Sequence, residues 1–240
     1  MIVLLFGAPG SGKGTQARFI SEHRQIPAIS TGDILRAECR AGSTLGKAAC
    51  TVLANGGLLE DATINAIVAK RLVQPDCKAG FILDGYPRTV PQASYLTHFL
   101  ESAGLPEPAI IHLDVSDAAL VARLSSRRYC PSCGRTYHLL AQPPARPERC
   151  DDDGEALIHR SDDAAKVVEE RLKAYHKLTE PLIEYYQGSH YHRVNGDCTP
   201  DEISLQVEAV LTMEESHANP VRNGFMKQIK KPELKLDPAR

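Results

Sequence analysis

The chain has 240 residues, 24% of them charged and 42% hydrophobic, with a formal net charge of −2. These proportions suit a soluble globular chain and exclude a disordered polymer, a collagen-like repeat and a coiled coil; the charge argues against a protein dedicated to coating nucleic acid. The longest uninterrupted apolar run, Ile2–Phe6, falls far short of the roughly 18 residues of a membrane span.

Ile2–Phe6 has no basic leader and no small-residue cleavage site, so it reads as a first strand and not as a signal peptide. Further strands are expected at Ala28–Ser30, Phe81–Asp84, Ala109–Val115 and, more weakly, Tyr191–Val194. Helical spacing fills the gaps, and strands alternating with helices predict a parallel sheet covered on both faces. Thr31 to Leu59 reads as a helical pair ending at Asn55-Gly56-Gly57. Arg127 to Asp163 has four prolines, three cysteines and little helical period, which marks an insert with its own order. A helix follows the cap-like cluster Ser161-Asp162-Asp163, with Pro181 expected to kink or end it. From about His217 six basic residues face two acidic ones among three prolines, which predicts a flexible basic tail.

The first chemistry-bearing motif is Gly7-Ala8-Pro9-Gly10-Ser11-Gly12-Lys13-Gly14-Thr15, between a strand and a helix. Glycines let backbone N–H groups converge on phosphate oxygens, the helix N-terminus favours the anion, and Lys13 reaches the outer phosphates. Asp84 ends an apolar strand, where a carboxylate can hold Mg²⁺ or its waters beside a phosphate loop. Transfer of a phosphoryl group between two anions also needs positive charge around both. Arg36, Arg88, Arg123, Arg127, Arg128, Arg160 and Arg171 cluster at the edges of the two inserts.

Gly7–Thr15, Ser30-Thr31-Gly32-Asp33, Asp84-Gly85-Tyr86-Pro87-Arg88-Thr89 and the Arg123/Arg127 pair together resemble the adenylate kinase family in its bacterial, long-lid form, over Met1 to about Leu211. The resemblance implies an α/β nucleoside monophosphate kinase fold: a five-stranded parallel sheet flanked by helices, with two inserted mobile segments. The core would comprise residues 1–30, 60–126 and 164–216, the AMP-binding insert 31–59, the lid 127–163, and the tail 217–240. It further implies that Gly10, Ser11, Gly12, Lys13, Gly14 and Thr15 hold the ATP phosphates. Arg123 would lie against the ATP base and Arg127 would meet its phosphates. Thr136 and Tyr137 would be lid residues near ATP, and the loop at Cys198 would approach adenine through its backbone. AMP would be held by Thr31, Arg36, Gly57, Leu58 and Leu59, and by Gly85, Tyr86, Pro87, Arg88 and Gln92. Arg160 and Arg171 would reach both AMP and the transferred group, with Asp162 and Asp163 alongside. No general base is needed, because the acceptor oxygen is already ionised.

Cys130-Pro131-Ser132-Cys133 is a metal-knuckle spacing, and Cys150-Asp151-Asp152-Asp153 repeats it with Asp153 in the place of the last cysteine. Three thiolates and a carboxylate suit a tetrahedral, structural Zn²⁺; His138, His159, Asp151 or Asp152 could supply the fourth ligand instead. A redox Cys pair and plain unliganded cysteines are the rival readings. Some lids of the family carry such a zinc site, and this spacing resembles theirs. Cys39, Cys50 and Cys77 have no partner spacing and read as small packing residues; with an odd cysteine total they suggest a reduced, cytoplasmic setting.

These readings combine into an ATP:AMP phosphotransferase making two ADP, with Mg²⁺ on the nucleotide, zinc in the lid, and no nucleic-acid or membrane partner, working as a monomer. Two alternatives stay open: a sister kinase using GTP or another monophosphate, and a zinc-ribbon nucleic-acid-binding nucleotide switch.

Overall fold

In chain order, the computed structural model begins with β1 (Ile2–Phe6), α1 (Lys13–Arg24), β2 (Ala28–Ser30), α2 (Thr31–Ala41), α3 (Thr44–Ala54) and α4 (Asp61–Leu72). Next come β3 (Phe81–Asp84), α5 (Val90–Ser102), β4 (Ala109–Asp114), α6 (Asp117–Ser125), β5 (Arg127–Tyr129) and β6 (Thr136–His138). The chain closes with α7 (Ala165–Ala174), α8 (Pro181–Tyr185), β7 (Tyr191–Asn195) and α9 (Pro200–His217). Residues 1–188 and 190–217 are described; the expected basic tail, apart from His217, lies outside them.

The five expected strands pair into one parallel sheet in the order β2-β3-β1-β4-β7. Their alternating side chains feed two cores, one on each face. Ile2, Leu4 and Phe6 point to one side, with Leu83 and Ile110, and meet Val68, Leu96 and Leu182 from α4, α5 and α8. Val3 and Leu5 point to the other, with Ile82 and Ile111, and meet Ile20 of α1 and Val207 and Leu211 of α9. Polar residues follow where this burial ends: the carboxyl ends of β1 and β3 deliver the glycine-rich loop and Asp84 side by side.

Most strand bounds agree with the sequence pattern; β4 stops one residue early and β7 runs one residue on, to Asn195. One helical expectation changes. Ser161-Asp162-Asp163 forms a short 3₁₀ turn, and the residue capping α7 is Ala164, which makes no side-chain cap. The aspartates are buried instead, because arginines claim their carboxylates. Pro181 marks the expected break: α7 passes into a π-helical turn at Tyr175–Thr179, and Pro181 opens α8, where a missing N–H costs nothing.

α2 and α3 form the expected helical pair, each capped by a serine: Ser30 Oγ accepts from Asp33 N and Ser43 Oγ from Gly46 N. The reading of Cys39 and Cys50 as unpaired packing residues is overturned, since a disulfide joins them across the two helices with a Cα separation of 5.4 Å. Their eleven-residue spacing carries no sequence signal, because the tight turn at Gly42-Ser43 is what brings the last turn of α2 beside α3. Cys77 is buried near Arg71 and free, as expected. Gly46 sets the closeness of the pair: a Cβ there would lie 2.0 Å from the carbonyl oxygen of Glu38. Gly46→Val therefore forces α2 and α3 apart and destabilises the protein by about 1–3 kcal/mol in denaturant unfolding; unchanged stability would show that the helix contact is loose.

Candidate active site and metal centre

Gly10 and Gly12 have φ of +88° and +100°, so the loop between β1 and α1 curls in a way other residues resist. The first N–H groups of α1 face the cleft with no side-chain cap, leaving them free for an anion. Lys13 Nζ donates to the carbonyls of Gly7 (2.7 Å) and Ala8 (2.9 Å), and Ser11 Oγ is fully buried without a partner. Asp84 Oδ2 overhangs the start of α1, 3.6 Å from where a Cβ of Gly14 would be. Burial lowers the Lys13 ammonium to about 8, against the pull of Asp84, and raises Asp84 above the usual carboxylate range.

Five arginines converge on the same cleft. Arg127 forms a two-point pair with Asp163, and Arg171 Nη1 reaches both Asp162 Oδ2 and Asp163 Oδ1 at 3.1 Å. Arg36 binds Asp33 (2.6 Å) and approaches Asp162 (3.7 Å). Arg160 lies 3.8 Å from Asp33 and 4.1 Å over the Tyr129 ring, with its Nε buried and unpartnered. Arg88 is anchored by Nε to the Gly85 carbonyl at 2.8 Å. Burial lowers Arg88 and Arg160 to about 10, so both remain cations at neutral pH. Lys13 and these arginines outnumber Asp33, Asp84, Asp162 and Asp163 by two positive charges, which makes the cleft a receptor for anions.

Beside Arg88 lies a cavity with apolar walls of Leu35, Val52, Leu53, Leu59 and Ile64, and with Thr31, Gly85 and Gln92 at its polar end. Apolar walls with a few polar groups at one end suit a ring that makes a few polar contacts. Gln92 is fixed there: its Nε2 donates to Asp61 (2.6 Å) and its Oε1 accepts from Arg88 N (2.8 Å), leaving one N–H and one lone pair for a ligand. Gly57 and Leu58 line the cavity as well. Tyr86 does not; its ring is in the core and its hydroxyl donates to Asn65 Oδ1 at 2.6 Å. Pro87 is absent from the lining too.

On the opposite side of the cleft, Arg123 Nη2 donates to the Gly196 carbonyl (2.7 Å), joining α6 to the loop after β7. Cys198 packs partly buried against the α1/α9 core. Arg128 stays outside the cluster, with its Nη1 on the Arg127 carbonyl. Sequence reasoning assigned no role to Asp33, which bridges Arg36 and Arg160, or to Asp61, which holds Gln92 and Thr89. Asp33 sits inside a motif already noted and could have been found as the partner that a buried arginine demands. Asp61 carries no such signal.

In the segment after α6, β5 and β6 pair antiparallel and hold a small cluster of Cys130, Tyr137, Cys150 and Leu157. Cys130, Cys133, Cys150 and Asp153 offer ligand atoms that all lie within 4.8 Å of one another. A tetrahedron of zinc–thiolate bonds has edges of about 3.8 Å, so the donor set fits one ion. Asp153 takes the fourth place over its rivals. His138 Nδ1 accepts from the N–H groups of Leu140 and Ala141, Asp151 accepts from Ala145 N, and Asp152 pairs with arginines. A hydrogen bond from Glu155 N keeps Asp153 ionised well below the usual carboxylate range. The Tyr137 ring belongs to this cluster: its hydroxyl lies 3.4 Å from Cys150 Sγ and accepts from Asp151 N.

The sequence profile of the adenylate kinase family matches residues 5–191. Three curated relatives are each named adenylate kinase. That of Trichlorobacter lovleyi is 49% identical over 188 residues, covering 78% of this chain and 88% of the relative. That of Methanocella arvoryzae is 42% identical over 212 residues, or 88% and 98% of the two chains. That of Methanococcoides burtonii is 47% identical over 186 residues, or 78% and 86%.

Two measurements probe this arrangement. Lys13 is charged below about pH 8 and neutral above it. So kcat/KM for the donor nucleotide falls as pH rises through 8, while Arg88 and Arg160 stay charged; a flat profile to pH 9.5 would contradict the buried-lysine assignment. Removing metal from Cys130, Cys133, Cys150 and Asp153 lowers the thermal midpoint by roughly 5 °C or more, because the binding energy of a structural ion is folding energy. An unchanged midpoint after verified removal would mean that no structural ion stabilises the cluster.

Proposed function

The chain belongs to the adenylate kinase family, whose members transfer a phosphoryl group between ATP and AMP, and we propose how its own residues do so. The observation that carries the proposal is the row formed by the glycine loop, the part-buried cations and the apolar cavity. Together they offer two nucleotide sites with positive charge between them.

In this reading Gly10–Thr15 cradle the ATP phosphates through backbone N–H groups, and Lys13 leaves its carbonyl partners for a phosphate oxygen. The donor enters as its Mg²⁺ complex, and Asp84, poised over Gly14, faces that ion or its waters. Arg123 and the Gly196–Cys198 loop flank the base, and Thr136 approaches from the lid. AMP occupies the cavity, with its base against Leu59 and Gln92 and its phosphate toward Arg36, Arg88 and Arg171. Arg127, Arg160 and Arg171 surround the group in flight, held in place by Asp33, Asp162 and Asp163. The acceptor oxygen is an anion already, so these residues align and neutralise and none removes a proton.

Residues 31–59 then serve as the AMP-side insert and 127–163 as a lid whose closure keeps water, the competing acceptor, away from the phosphoryl group. Zinc is the ion best suited to Cys130, Cys133, Cys150 and Asp153; four protein ligands leave no open position, so it holds the lid in shape and takes no chemical step. No helix among the described residues is long and apolar enough to cross a membrane. The site is complete within one chain, so a monomer suffices.

The test is a coupled assay of ADP formation from Mg-ATP with AMP, CMP and UMP, on wild type and Lys13→Met. Wild type turns over with AMP in strong preference, and Lys13→Met loses about 10³-fold or more in kcat while its circular dichroism is unchanged. Normal turnover by the variant, or equal use of CMP or UMP, would overturn the assignment.

A further inference from the structure

Arg18 lies on the outer face of α1, just past the phosphate loop, and its Nη1 is 3.0 Å from Asp152 Oδ2. Asp152 belongs to the knuckle Cys150–Asp153, 134 residues further along the chain. Among the described residues this is the one ion pair between segment 130–153 and the core. Covalently, that segment joins the core only through β5 and the turn before α7. Among the described residues its other hydrogen bond to the core runs from Leu139 N to the Ser126 carbonyl, close to the start of β5. The Arg18–Asp152 pair therefore ties that segment to α1, the helix that begins at the glycine-rich loop.

Both partners are fixed from behind. Glu22 accepts from Arg18 Nε at 2.7 Å, one helical turn on. Asp152 also pairs with Arg135, whose guanidinium lies 5.0 Å over the Tyr137 ring inside the metal cluster. The metal knuckle thus presents a carboxylate outward, at the height where α1 presents a cation.

We propose that Arg18 is a positioning residue that latches the lid shut over the ATP site through Asp152. The proposal rests on the reading of that cleft as the donor site. A nucleotide enters or leaves only when the pair parts. The side chains are 45% and 32% exposed, so the pair is weak and screened by salt, and it shifts the balance of closed and open forms about two- to fivefold. A latch of that strength favours closure without trapping product.

Mg-ATP binding and the KM for each nucleotide are measured on the full chain as wild type, Arg18→Ala and Asp152→Asn, with metal content verified in each. As a latch, either substitution weakens Mg-ATP binding about two- to fivefold at low ionic strength. The KM for AMP and the thermal midpoint do not move. Wild type and variants converge near 1 M salt, where the screening length is about 3 Å. Simple attraction of an anionic ligand makes the opposite demand on the second variant, since removing the Asp152 charge would tighten ATP. Tighter or unchanged binding by Asp152→Asn with its metal in place overturns the latch, as does a loss in Arg18→Ala that persists in high salt. Wild type that binds no ATP at all would overturn the donor-site reading instead.

Discussion

Six part-buried cations in one cleft are the constraint on which this structure turns. Lys13 and Arg36, Arg88, Arg127, Arg160 and Arg171 repel one another, and burial works against the charges of Lys13, Arg36, Arg88, Arg160 and Arg171. The fold answers with carboxylates that hold the side chains without cancelling them. Asp33 ties Arg36 toward Arg160, Asp163 joins Arg127 to Arg171, and Asp162 faces Arg36 and Arg171 together. The remaining excess of positive charge is what a polyphosphate would neutralise. The same pairs connect the helical insert, the end of the lid and α7, so the electrostatics of the site also fix the relative placement of the segments around it.

The sheet makes that concentration possible. Its central strands β1, β3 and β4 are buried along nearly their whole length, so the polar functions gather at their carboxyl ends and in the segments attached there. Glycine governs how closely those segments approach. At Gly56 an added Cβ would lie 3.0 Å from both the Val167 carbonyl and Arg171 Cγ, so the end of the helical pair packs directly on the helix carrying Arg171. The insert is braced internally by the Cys39–Cys50 disulfide and by the contact at Gly46.

Segment 127–163 faces a different problem. Its apolar cluster is three buried residues and a partly buried leucine, too little to hold a segment of this size by hydrophobic burial. A metal ion on the four grouped ligands would supply the missing order. Because Tyr137 contacts Cys150 and Arg135 stacks on Tyr137, the groups on the lid surface inherit their positions from that centre.

The sequence alone determined the features that are local. The strand–loop–helix context of Gly7–Thr15, the alternation of strands and helices, the helical pair at 31–59 and the paired knuckles depend on neighbours within a few positions, where sterics and spacing leave few options. The Asp84–Thr89 run gave the family by resemblance, and with it the arginines. Tertiary structure decided whatever depends on which distant atoms meet. It directs Tyr86 into the core and Asp33 between two arginines, and groups Asp153 with the three lid thiols. It also turns an expected helix cap into two buried counter-ions, pairs Cys39 with Cys50, and sets Asp152 against Arg18. The physical reason is common to all of these: local pattern reports a residue's chemistry and the face it occupies, while its charge partner is set by chain crossings that bring together positions up to 191 residues apart.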